Sequence, residues 1–210
     1  LKQTNMQPKD ASLRVPPTTT PNDLPMTLGF CEVGLGDTDI VGGKCASLGE
    51  MIRVANEIGV RVPDGFAVTV HGYRAFINHN SLAEKIDEIV EPLDPEDLSS
   101  LREGGRQIRE LIREGKFPDR MKESIENFYR DLSNQYGEDA TDVAVRSSAT
   151  LEDTQDASFA GQQQTLLNVR GRASLMQAVR ECFSSLYTDR VIGYRKSRGF
   201  GSKVSDVVLS

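Results

Sequence analysis

The sequence has no tryptophan, only two histidines and only three cysteines among its 210 residues. Each shortage excludes a class of chemistry. Cys31, Cys45 and Cys182 are odd in number, far apart and without C-x-x-C spacing, so they form neither a disulfide framework nor a zinc site. Such sparse cysteine usage suits a reducing, cytoplasmic compartment. His71 and His79 give histidine triads or histidine-based metal sites little material. No stretch approaches the ~18 apolar residues that a membrane span needs, and the opening LKQTNMQPKD lacks the apolar run of a secretory signal. Positive charge is also short: 25 Lys and Arg stand against 31 Asp and Glu, a formal net charge of −6. An acidic chain without a basic stripe is not expected to take nucleic acid or a membrane as partner.

What is present is a globular composition, 38% hydrophobic and 27% charged, enough for a real core. Residues 1–25 (with VPPTTTPNDLP) are nearly free of periodic apolar residues and read as a disordered or loosely attached tail. The globular part begins near Met26, with a short strand expected over 28–33. From Lys44, Leu48, Met51, Ile52, Ala55 and Ile58 recur at helical spacing, and Gly59 fits the stop. Pro63-Asp64-Gly65 marks a turn, and Phe66–Val70 reads as a strand. Residues 71–138 read as helices, with Tyr73, Phe76 and Ile77, then Leu82, Ile86, Ile89 and Val90, then Ile108, Leu111 and Ile112, then Met121, Ile125, Phe128, Tyr129 and Leu132 as apolar stripes. The charge run REGGRQIRELIREGK is a solvated helix surface. Asp142–Arg146 reads as a buried strand, Thr165–Val169 as another, and 172–197 as a long helical segment. The chain opens on Leu1 and closes on the strand-like VSDVVL, so a piece of a longer polypeptide is expected.

Three segments hold groups suited to an anion. Gly42-Gly43-Lys44 stands at a helix start, where N–H groups and a lysine favour phosphate. It is not a Walker A loop, because Thr38 and Cys45 occupy the positions that would need Gly and Ser/Thr. An ordinary glycine turn with an exposed lysine reads equally well. Arg146, ending a strand before Ser147-Ser148-Ala149-Thr150, is placed either to meet phosphate oxygens bidentately or to pair with Glu152 or Asp153. The stretch Ala157–Gln163 (ASFAGQQ) suits a loop laying N–H groups over a ligand, or a tight hairpin with Phe159 plugging the core.

Taken together, VGGKCASLGEM, GVRVPDGFAVT, VAVRSSATLEDTQDASFAGQQQTLLNV and CFSSLYTDRVIGYRKSRGF stand in the order and spacing of one family. Over about residues 28–210 the chain resembles the N-terminal ATP-binding region of the phosphoenolpyruvate synthases, in the wider group with pyruvate phosphate dikinase and rifamycin phosphotransferase. The resemblance implies an α+β, ATP-grasp-like fold with a mixed sheet and a helix-rich subdomain. Residues 26–210 would be part of that domain, with a helical insertion at about 71–138. It also implies that Lys44, Arg146, Gly161 and Thr165 contact ATP, with Gln162 and Ser158 as further loop contacts. ATP with Mg²⁺ would be the cofactor pair, and no residue of this chain is expected to hold the metal. The implied reaction passes phosphoryl groups from ATP to a histidine further along a longer chain and then to pyruvate, so no catalytic residue is expected here. A related dikinase or phosphotransferase, or a non-catalytic nucleotide-binding module, is the alternative. The chain departs from the family at Cys45, where Asn or Gly is usual, and at Leu151 and Thr154-Gln155.

Overall fold

The computed structural model describes residues 24–148 and 164–197. Chain order begins with strand β1 (Thr27–Gly29), and helix α1 (Thr38–Glu57) and strand β2 (Phe66–Val68) follow. Four helices come next: α2 (Val70–His79), α3 (Leu82–Val90), α4 (Leu98–Glu114) and α5 (Asp119–Gln135). Strands β3 (Val143–Arg146) and β4 (Thr165–Val169) then precede α6 (Arg172–Ser184) and α7 (Asp189–Ser197). The architecture is α+β and rich in helix.

Where a mixed sheet was expected, the described residues form two separate antiparallel pairs, β1 with β2 and β3 with β4. Local chemistry keeps the first pair short. Glu32 Oε2 accepts from the Gly29 N–H at 2.8 Å and turns the chain into a 3-10 turn over Phe30–Glu32. At the other strand, Thr69 Oγ1 accepts from the Gly72 N–H at 3.2 Å, capping α2. The strand expected over Phe66–Val70 therefore stops at Val68, and Val70 opens a helix.

The main core joins the helical middle to α6. Tyr73, Phe76, Ile86, Ile108, Ile112, Met121, Ile125, Tyr129 and Phe183 are buried in one cluster. Phe183 meets Tyr73 edge-on at 5.1 Å between ring centroids and Phe76 at 5.3 Å, geometries that aromatic quadrupoles favour. Burying such side chains contributes about 1.5–3 kcal/mol each, before the entropy of ordering them. The charged face of α4 stays in solvent, where Arg106 bridges Glu103 and Glu110. The long helix expected over 172–197 breaks into α6, a 3-10 turn over Ser185–Tyr187, and α7. Ser184 Oγ and Ser185 Oγ donate back to the carbonyls of Glu181 and Cys182 there, which weakens the helical ladder.

Two expectations for apolar residues change. The β3 strand is half-exposed in alternation rather than buried. On α1, Ile52 and Ala55 are buried but Met51 is 56% exposed, and Ile58, just past the helix end, is 70% exposed. The helix is turned so that Gly49 lies against the backbone carbonyls of Val33 and Phe30, an approach that leaves no room for a Cβ. That close seam of small residues, rather than the larger side chains, decides which face is covered.

Candidate functional site

The site is built from a break in one helix and the end of one strand. Gly42 has φ 71° and ψ 161°, so α1 is two helical pieces with a kink between them. The left-handed φ is open to glycine and strained for other residues. The longer piece starts again at Gly43, with Lys44 exposed in its first turn. First-turn N–H groups have no partner within a helix and carry the positive end of its dipole. This is the geometry expected of an anion cradle, and it depends on a glycine at the kink.

The strand end meets that kink. Ser148 Oγ donates to the Val41 carbonyl at 3.1 Å, across 107 positions of sequence. A Cβ added to Gly42 would overlap Ser148 Oγ. Arg146, two residues before Ser148, is exposed, as is Lys44 two residues after Gly42. The VGGK and AVRSS segments therefore converge, each carrying an exposed cation within two residues of the contact.

Thr165 joins the same region. It is the ladder partner of Arg146, and Arg146 Nε donates to Thr165 Oγ1 at 3.4 Å. The Ser147 N–H donates to the Gln164 carbonyl at 3.3 Å, which continues the pairing past the strand. Ser158, Gly161 and Gln162, and the alternative Arg146 partners Glu152 and Asp153, lie outside the described residues.

Sequence reasoning missed two serines. Ser148 joins the segments, and Ser147 is 2% exposed with a hydroxyl that has no hydrogen-bond partner among the described residues. The pair lay within the segment singled out, but nothing in the sequence tells which neighbour a serine will touch. A concavity lies beside the exposed face of α1, a groove of about 510 Å³ lined by Leu35, Met51, Val54, Ile58, Val60 and Val62. Among its lining residues Glu50 carries the sole charge, so the groove does not suit a polyanion. No three His, Cys, Asp or Glu side chains among the described residues cluster to hold a metal ion. No described helix is long and apolar enough to cross a membrane.

Exposed cations at a kinked helix start and at a strand end, beside a contact between buried small residues, define an α+β protein with a candidate anion-binding site. The sequence comparison is more particular. Residues 38–209 match the family described as pyruvate phosphate dikinase, AMP/ATP-binding domain, and the chain belongs to that family. It is 50% identical over 175 residues to the phosphoenolpyruvate synthase of Aquifex aeolicus, covering 83% of this chain and 20% of that protein. It is 46% identical over 171 residues to the phosphoenolpyruvate synthase of Helicobacter pylori, covering 81% and 21%. A probable phosphoenolpyruvate synthase of Methanocaldococcus jannaschii is 46% identical over 169 residues, covering 80% and 14%. The chain thus spans about a fifth of the length of the curated relatives it matches.

Proposed function

We propose that this chain is the ATP-binding part of a phosphoenolpyruvate synthase, and that Lys44, Arg146 and Thr165, with Ser158, Gly161 and Gln162, hold the nucleotide in an ATP-grasp-type site. The observation that carries this reading is the meeting of Ser148 with the Val41-Gly42 turn, which brings the lysine and arginine motifs to one place. Lys44 supplies a point charge beside helix N–H groups, and Arg146 supplies a planar fork for two phosphate oxygens. Both would balance the negative charge that shifts along the triphosphate as a phosphoryl group leaves. Thr165 orients Arg146 from the neighbouring strand and offers a hydroxyl to the same oxygens. Residues 26–210 act as part of a nucleotide-binding domain in the cytoplasm, with a helical insertion at about 71–138.

The described residues do not fit a metal cage. Mg²⁺ would arrive as the ATP complex, held chiefly by phosphate oxygens and water. In the whole reaction, the β- and γ-phosphoryl groups would pass from ATP to a histidine of a longer polypeptide, releasing AMP. Hydrolysis of the terminal phosphoryl and transfer of the other to pyruvate would then give phosphate and phosphoenolpyruvate. The test is to express the complete reading frame and supply ATP labelled at the β-phosphate. Label should appear on a histidine, move to pyruvate, and be lost in Lys44→Ala and Arg146→Ala. Labelling at wild-type level in both variants would remove these residues from the site.

A further inference from the structure

The convergence of two motifs from distant parts of the chain raises the question of what sets their spacing. Lys44 and Arg146 are both exposed, so neither is fixed by burial. The groups between them are buried: Val41, Gly42, Gly43, Ser147 and Ser148. Ser148 is 1% exposed, and its hydroxyl sits where a side chain on Gly42 would have to go. The same hydroxyl donates to the Val41 carbonyl, immediately before the kink. Gly42 in turn holds the left-handed φ that lets the helix restart at Gly43.

From this geometry we infer that Ser148 is a positioning residue for the nucleotide site: its hydroxyl, seated in the space left by Gly42, holds the Lys44 helix start against the Arg146 strand end. The inference rests on the proposed function above. It assigns no nucleotide contact to Ser148 itself. Its action is on the distance between two cations. A triphosphate is a run of charges at fixed intervals, so two cations serve it best when their separation is preset rather than found on binding. Adenosine, which lacks the phosphates, does not sense that separation.

That difference separates positioning from a merely structural role. The experiment is calorimetric titration of the protein expressed from the complete reading frame with ATP and with adenosine, for wild type, Ser148→Ala, Ser148→Cys and Gly42→Ala, each with its melting temperature. The wild-type chain is expected to bind ATP more tightly than adenosine. Ser148→Ala removes the hydroxyl, and ATP affinity should fall about tenfold, the scale of one lost hydrogen bond, while adenosine affinity stays at the wild-type value. Ser148→Cys keeps the volume with a weaker donor and should fall between the two. Gly42→Ala pushes on the same contact from the other side and should show the same phosphate-selective loss. If wild type binds no ATP, or binds it no more tightly than adenosine, the underlying site reading fails. If wild type shows the preference but Ser148→Ala and Ser148→Cys keep it unchanged at any melting temperature, or lose ATP and adenosine equally, the positioning role is overturned.

Discussion

Arg146 stands directly opposite Thr165 on the β3–β4 ladder, with its Nε 3.4 Å from the threonine hydroxyl. The contact is long for a hydrogen bond and engages one of the guanidinium's three nitrogens. Replacing Thr165 with Val keeps the strand shape and removes the acceptor. Stability should change by less than about 0.5 kcal/mol, because the site is exposed. ATP affinity should drop about threefold to tenfold as Arg146 loses its orientation and the site loses a hydroxyl. Calorimetric titration beside a denaturant melt checks both numbers.

Ser147 gives a prediction of opposite sign. Its buried hydroxyl has no partner among the described residues, and an unsatisfied group of this kind costs about 1–3 kcal/mol in desolvation. Ser147→Ala removes that cost at the price of a very small void. The variant should be more stable than wild type by about 1 kcal/mol. Urea unfolding is the measurement, and a less stable variant would show that the hydroxyl is satisfied in solution.

The alkaline limit follows from three buried acids of the core. Burial pushes the Cys182 thiol up to about 12, with Glu181 adding to the rise. Burial also raises the hydroxyl of Tyr73 and that of Tyr187, which share a hydrogen bond of 3.0 Å. Unfolding returns these groups to their ordinary values of 9.0 for the thiol and 10.0 for the phenols. The folded state therefore holds protons that the unfolded chain releases. Their contribution is full below about pH 9 and is lost as pH rises from about 9 toward 12. The melting temperature should fall steadily over that window, and Cys182→Ala should show a shallower fall than wild type.

The two faces of α1 give a paired test. Ile52, 6% exposed, should cost about 2–4 kcal/mol on replacement by Ala. Met51, 56% exposed, should cost no more than about 0.5 kcal/mol for the same change. Equal losses in denaturant melts would contradict the orientation of the helix.

That orientation also shows what the sequence could and could not reveal. Strong amphipathic stripes were readable: Tyr73, Phe76 and Ile77 on α2, or Met121, Ile125 and Tyr129 on α5, are buried as their periodicity predicts. The β4 strand has the bounds expected from the sequence, Thr165–Val169. On α1 the periodicity located the helix but not its buried face, because Gly49 and its carbonyl neighbours settle the packing through backbone approach. Such contacts involve no side-chain hydrophobicity, so a hydrophobic pattern cannot register them. The same holds at the site. Lys44, Arg146 and Thr165 were singled out through their motifs, while the Ser148–Gly42 contact is a long-range fit between two small residues. Strand ends were misjudged where a single cap, at Thr69, overrode a run of β-formers.

The measurement that bears most directly on the account is the ATP affinity of Lys44→Ala, Arg146→Ala and the double variant, compared with wild type in one titration series at fixed salt. Each single change should weaken ATP binding about tenfold to a hundredfold, the scale of a charge-assisted phosphate contact. The double variant should bind ATP no better than adenosine. Wild-type affinity in either single variant, with the fold intact by melting temperature, would contradict the claim that the two motifs converge on one triphosphate.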